Sequence, residues 1–267
     1  MKPSVIVAAL LLGSAGVAAA LTPPPPLAMV LAGSQRSDAN RARDAYRHPA
    51  ETLAFFGLKP TMTVVEVSPG SGWYTEVLAP YLRDTGKLYV AAADPDAGEN
   101  AAKSAAKFKA KLATVPTAFG KVTVTPSSPK SFDRIAPAGS ADMVLTFRNV
   151  HNWYIGGYAP MAFKAFATVL KPGGVLGLEE HRLPENRPDA MQKTSGYMKT
   201  SIVIALAEAA GFKLAGKSEI NANPKDTADY PDGVWTLPPT FAKGNADRAK
   251  YAAIGESDRM TLRFVKK

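Results

Sequence analysis

An α/β fold built on a doubly wound, mostly parallel sheet is predicted for this chain, and three observations carry the prediction. Short β-branched runs alternate with amphipathic helical stretches from Thr63 onward, which is the rhythm of parallel βαβ units. The first run, Thr63 to Val67, ends in a Ser-Pro-Gly-Ser-Gly turn and passes straight into helical spacing. Asp94 closes the second run at about the 20-residue offset from a glycine turn where such folds meet a ribose diol. It also stands where it would cap the helix that follows.

In chain order, Met1 to Ala20 reads as a secretory signal peptide. Lys2 precedes an apolar run from Val5 to Leu12, and small residues lead to a cut expected after Ala20. The chain has no cysteine, which excludes disulfides and a lipid-modified cysteine. A periplasmic or secreted protein with no stable membrane span after signal cleavage is therefore expected. Residues 21–36, with Pro23 to Pro26, read as a Pro-rich linker.

One folded domain is expected over 37–267, because 267 residues at 46% hydrophobic and 21% charged suffice for one sizeable core. The formal net charge is +9, but the lysines are dispersed; Lys103, Lys107, Lys109 and Lys111 along one helix read as a solvated face. No interleaving of basic and stacking residues points to nucleic acid. Residues 37–60 form a helical cap, with a polar helix from Asp38 to Arg47 and a second opened by Pro49 and stopped by Gly57. Its cluster of Arg43, Asp44, Tyr46, Arg47, His48 and Glu51 suits a solvated helical pair and a cover over the crevice equally.

Gly70 and Gly72 allow positive φ and let a ligand lie against bare backbone, while Tyr74, Val77, Leu78 and Leu82 resume at helical spacing. Thr75 stands where a dinucleotide fingerprint has its third glycine, which weakens that reading. Glu66, inside the strand, is expected to aim its carboxylate at the turn and to suit a positively charged ligand.

Strands are expected at Lys87 to Ala92, Lys121 to Thr125, the run ending at Phe147, and Val175 to Glu180, with helices from Glu99 to Leu112 and Pro160 to Leu170 between them. A helix capped at Gly211 precedes Lys213 to Asn221, and Met260 to Val265 makes the last of about seven strands. Residues 222–258, rich in Pro, Asp and Gly but carrying Trp235 and Phe241, are a possible lid.

Three segments, in order, resemble the class I S-adenosylmethionine-dependent methyltransferases: Val64 to Glu76, Ala138 to Trp153, and Val169 to Glu180 with its Leu-Lys-Pro-Gly-Gly turn. From about Arg43 to Lys267 the chain also resembles a poorly characterised group of predicted exported bacterial methyltransferases. The marks are Arg-His-Pro-Ala-Glu, Pro-Gly-Ser-Gly-Trp-Tyr-Thr-Glu, Phe-Arg-Asn-Val-His-Asn-Trp and Ile-Gly-Glu-Ser-Asp-Arg-Met. The resemblance implies a Rossmann-like sheet with an antiparallel last strand, S-adenosylmethionine as cofactor, and no metal. On that footing Glu66, Gly70 and Gly72 hold the methionine part, Asp94 the ribose, and Phe132 or Asp133 the adenine, with Pro69, Tyr74 and Arg148 completing the cofactor set.

Of the three histidines, His151 and His181 follow strands and so reach the carboxyl edge of the sheet, where ligands bind. His151 is the candidate base, with Asn149 and Trp153 orienting and stacking beside it. A hydrogen-bonded structural histidine in a strand-end turn is the plain alternative. Of Glu179 and Glu180, one should face the crevice and the other away, unless either simply pairs with Arg182. The expected function is methyl transfer to a small-molecule or lipid-like acceptor; the alternative is an exported, non-catalytic nucleoside-type binding protein on the same fold.

Overall fold

The computed structural model describes residues 25–267. The expected signal peptide and its cleavage site lie outside the described residues, among which no helix is long and apolar enough to cross a membrane.

Eight strands form the sheet: β1 (Thr63–Val67), β2 (Lys87–Ala93), β3 (Thr123–Ser127), β4 (Ala141–Phe147), β5 (Leu170–Leu183), β6 (Met198–Lys199), β7 (Phe212–Ser218) and β8 (Arg259–Lys266). Their order is β3-β2-β1-β4-β5-β8-β7, with the short β6 paired to the end of β5. β1 to β5 run parallel, and β8 lies antiparallel between β5 and β7. This is the expected α/β, Rossmann-like architecture with an antiparallel last strand; β6 is the one strand the sequence did not signal, because two residues carry no periodicity.

Side chains alternate across the sheet as the pleat requires. Val65, Val67, Val144, Leu176 and Leu178 face one core cluster, and Val64, Leu88, Val90, Met143 and Leu145 face the other. Helices α1 (Leu27–Ala32), α2 (Asp38–Arg41), α3 (Asp44–Arg47), α4 (Pro49–Phe56), α5 (Thr75–Leu82), α6 (Glu99–Thr114) and α7 (Pro116–Phe119) precede β3. The chain then adds α8 (Val150–Ile155), α9 (Ala159–Val169), α10 (Thr200–Ala209) and α11 (Arg248–Ile254). The strand order reverses between β1 and β4, and a crevice outside their carboxyl ends is where such sheets bind ligands.

The N-terminal segment departs from the expected linker. Leu27, Val30 and Leu31 form an apolar i, i+3, i+4 stripe that α1 packs into the second core cluster. Arg36 then binds both carboxylate oxygens of Asp44, at 2.7 and 2.6 Å. Burial of that stripe outweighs the prolines, so order begins before Ser37.

Residues 37–60 pack one face against the domain and leave the other exposed. Trp73 Nε1 donates to Asn40 O at 3.0 Å, and Arg47, Thr52, Leu53 and Phe56 are buried. The expected lid segment, 222–258, is tied down as well. Tyr197 Oη and the Asp258 N–H both donate to Asp226 Oδ2, at 3.0 and 2.7 Å, and Val234 N donates to Ser195 O at 2.8 Å.

Candidate active site

The glycine turn folds as its residues dictate. Gly70 and Gly72 sit at φ 58° and 81°, and Ser68 joins them at 54°. A Cβ on Gly70 would stand in open space, whereas one on Gly72 would press on Phe108 Cε2 and Lys111 Cε, each at 3.1 Å. The bare face of Gly70 therefore borders a cleft of about 680 Å³. Ser68 to Ser71, Ala92, Ala93 and Ser127 line one side of this cleft, at the carboxyl ends of β1, β2 and β3. Ser104, Lys107, Phe108 and Lys111 of α6 line the other.

A second cavity, of about 330 Å³, shares Ser68 to Ser71 and Asn149 with the first. Asn149 holds the partition in place: its Nδ2 lies 3.3 Å from Val67 O, 3.1 Å from Ser68 O and 3.2 Å from Phe147 O, stitching the ends of β1 and β4 together. Arg148, beside it, is a second non-glycine residue at positive φ, 60°. Left-handed backbone at two strand ends around one site is where strain is tolerated for function.

In the wall of the smaller cavity, His151 Nδ1 meets Glu180 Oε1 at 2.9 Å, and Glu180 is fully buried. The same carboxylate accepts from His151 N at 3.2 Å and His181 N at 2.8 Å. With Glu180 as acceptor, Nδ1 carries the hydrogen, and Nε2 is left as the basic nitrogen of the ring. His181 Nδ1 meets Ser257 Oγ at 2.5 Å. Burial, with the nearby His151 and Arg148, pushes His181 well below the usual histidine range, so it stays neutral. His151, Glu180 and His181 offer ligand atoms within 4.8 Å of one another, although no metal was expected. Glu180 is already committed to three donors and three arginines lie near enough to depress His181, so a hydrogen-bonded dyad suits this cluster better than a cation.

An arginine network surrounds the dyad. Buried Glu179 accepts from Arg148 Nη1 at 2.8 Å and Arg259 Nη1 at 3.1 Å. Burial pushes its carboxyl up, but Arg259 and Arg148 outweigh that and hold it below the usual range. Glu256 accepts from Arg43 Nε at 2.6 Å and Arg47 Nε at 3.1 Å. Its desolvation is likewise overcome, by Arg47 and Arg259, and its carboxyl is held at about 2.

Several residues named from the sequence sit elsewhere than expected. Pro69, Gly70, Arg148, Asn149 and His151 do line the cavities, and Gly72 forms the turn behind them. Glu66 does not reach the crevice: Oε2 accepts from Thr75 Oγ1 at 2.6 Å, so the carboxylate pins the residue that replaced the third glycine. Tyr74 is buried, stacked on Phe147 with ring centroids 3.5 Å apart. Asp94 Oδ2 accepts from Ser128 Oγ at 2.8 Å and Oδ1 from Asp96 N at 3.1 Å, and it lies outside the lining of the cleft. Hydrogen bonds from Ser131 and Ser128 hold its carboxyl below the usual range.

Phe132 and Trp153 meet edge to face at 6.2 Å inside the core, and Asp133 is exposed beside a separate hollow. Neither Phe132 nor Asp133 faces the glycine turn, and Trp153 is not a stacking group for His151. Asn149 clamps backbone and makes no hydrogen bond to His151. The face of α6 was missed: Ser104, Lys107, Phe108 and Lys111 at i, i+3, i+4, i+7 are the signal that finds it. Arg43, Arg47, Trp235 and Glu256 come from segments too distant for any local pattern to connect.

Glu66 has a measurable consequence. Burial raises its carboxyl to about 7 from the ordinary 4.5. The folded state therefore holds a proton that the unfolded state has released, and stability falls as pH rises from about 4.5 through about 7. The loss should approach about 3 kcal/mol by pH ~8. Glu256 works in the opposite sense, contributing above about pH 4.5 and failing as pH drops toward 2. Urea unfolding of wild type and Glu66→Gln from pH 4 to 8 isolates the first term. The variant should gain on wild type as pH rises, and parallel curves would refute the assignment.

A scan against protein-family models and a search among curated proteins both return no match. Among solved structures, the chain is similar to an S-adenosylmethionine-dependent methyltransferase from Aquifex aeolicus. The two are 17% identical with a TM-score of 0.57, over 85% of this chain and 93% of that one. It is also similar to a putative sarcosine dimethylglycine methyltransferase from Galdieria sulphuraria (14% identity, TM-score 0.57, 87% and 88% covered). The [4+2]-cyclase SpnF aligns at 17% identity and TM-score 0.58 over 90% and 91%. The chain thus has the class I methyltransferase fold, a scaffold that also carries other chemistry.

Proposed function

We propose that this protein is an S-adenosylmethionine-dependent methyltransferase that acts on a small acceptor. The observation that carries the reading is the meeting of two cavities at one glycine turn, with the His151–Glu180 dyad in the wall of the smaller. The larger cleft suits the cofactor: Gly70 leaves its floor bare, and the ends of β1, β2 and β3 converge on it. When bound, S-adenosylmethionine supplies a methyl carbon on a sulfonium leaving group.

The chain supplies position and proton transfer. Asn149 fixes the partition, so that an acceptor in the smaller cavity would be held beside a cofactor in the larger. Ser68 to Ser71 and the α6 face would hold the cofactor, and His151 Nε2 would take the proton that the acceptor's heteroatom loses on methylation. Glu180 keeps the ring oriented and stabilises the imidazolium. Trp235, from the 222–258 segment, helps close the cavity against water.

Calorimetry on the full chain tests the cofactor site. S-adenosylhomocysteine should bind, and Gly72→Val should weaken it by roughly tenfold or more, since a side chain at that φ strains the turn and presses on Phe108 and Lys111. Absence of binding to wild type at millimolar ligand would refute the reading. The same two cavities also suit a second reading, a binding protein without turnover. That protein would take up the ligand yet form no S-adenosylhomocysteine from S-adenosylmethionine with any acceptor.

A further inference from the structure

The smaller cavity carries more positive charge than the protein neutralises. Arg43, Arg47 and Arg148 all line it. Each spends one guanidinium nitrogen on a carboxylate, Arg43 Nε and Arg47 Nε on Glu256 and Arg148 Nη1 on Glu179. Among the described residues no hydrogen bond engages their other nitrogens, and Arg43 Nη2 is buried without a partner. Arg259, which does not line the cavity, differs. Its Nε, Nη1 and Nη2 donate to Ser257 O, Glu179 Oε1 and Tyr46 O respectively, so it is satisfied by the fold alone.

Four guanidinium groups therefore face two carboxylates, Glu179 and Glu256, while Glu180 is taken by His151. Arg43 Nη2 is shut off from solvent with no partner, and a buried donor left unpaired is costly unless something satisfies it. Arg47 registers the imbalance: burial first, then the like charge of Arg148, pushes it down to about 9. Its guanidinium lies over the Trp73 ring at 4.8 Å, which holds the fork rigid. Val234, Trp235, Pro238 and Pro239 form an apolar part of the wall, and the whole space is only about 330 Å³.

We propose that the acceptor is a small anion, a carboxylate- or phosphate-bearing molecule with an apolar body. Arg43, Arg47 and Arg148 hold its anionic group, and its nucleophilic hydroxyl lies at His151. This substrate class presupposes the methyltransferase reading of the same site. Planar forks match carboxylate and phosphate oxygens in pairs, which a neutral group cannot reproduce.

The test is calorimetric titration of the full chain with 4-hydroxybenzoate, 4-hydroxyphenyl phosphate and the neutral 4-hydroxybenzamide, each with and without saturating S-adenosylhomocysteine. One anion at least should bind the complex roughly tenfold or more tighter than the amide. The better of the two identifies carboxylate or phosphate as the natural group. Arg47→Gln should lose that preference while keeping S-adenosylhomocysteine affinity within about threefold. Arg43→Gln, at a side chain 23% exposed, repeats the test where folding is less at stake. Equal binding of anion and amide overturns the proposal. So does anion binding that S-adenosylhomocysteine abolishes, because the cofactor's own carboxylate would then fill the arginines. Arginine-dependent anion binding in a protein that never takes up S-adenosylhomocysteine would sink the methyltransferase reading and the acceptor role with it, while leaving an anion site.

Discussion

Replacing His151 with alanine should lower turnover by about 10²–10⁴-fold, the range expected for loss of a positioned general base. S-adenosylhomocysteine affinity should stay within about twofold, because His151 lines the smaller cavity and not the larger cleft. Glu180→Gln should lose a smaller part of the rate, since the ring remains but its tautomer is no longer fixed by a carboxylate at 2.9 Å. Turnover is read as acceptor-dependent formation of S-adenosylhomocysteine, and affinity by calorimetry. A large loss of cofactor affinity in His151→Ala would move this residue into the cofactor site and end its assignment as base.

Glu179→Ala should destabilise the fold by about 3–5 kcal/mol. Glu179 has no accessible surface and is the carboxylate shared by Arg148 and Arg259. Tyr74 Oη and Asn221 Nδ2 also approach it, at 3.4 and 3.5 Å. Without it the buried Arg259 and the partly exposed Arg148 face each other with Glu256 as the only remaining counter-charge at hand among the described residues. Glu179→Gln keeps the shape and some acceptor capacity, so its cost should be nearer 1–3 kcal/mol. Urea midpoints at fixed slope report the change. A loss below about 1 kcal/mol in the alanine variant would mean that water or chain movement already neutralises the pair.

Much of the fold was legible because it is written locally. Thr63 to Val67 is β1 to the residue, since a short β-branched run between two turns reads as a strand covered on both faces. β3 begins two residues later than read and runs to Ser127, because its first turns of sequence carry lysine and threonine at an exposed sheet edge. α1 was passed over because a proline run masked a three-residue apolar stripe.

The site was legible only in outline. Strand alternation did settle that Glu179 and Glu180 face opposite ways, and the structure sends one to the arginines and the other to His151. The offset to Asp94 found the end of β2 correctly, yet the carboxylate is occupied by Ser128 from the end of β3. Glu66 was placed on the right strand and aimed in the wrong direction, because its partner Thr75 lies across the turn.

From the sequence alone follow the order of the seven main strands and the helices between them, the glycine turn, and the edge of the sheet at which His151, His181 and Asn149 stand, because backbone periodicity and turn chemistry act over a few residues. Tertiary structure alone decided which charges meet: Arg43 and Arg47 reach Glu256 across 213 and 209 residues, and His151 finds Glu180 on the neighbouring strand. A side chain's partner is chosen by packing and desolvation over the whole core, and no local pattern contains that information.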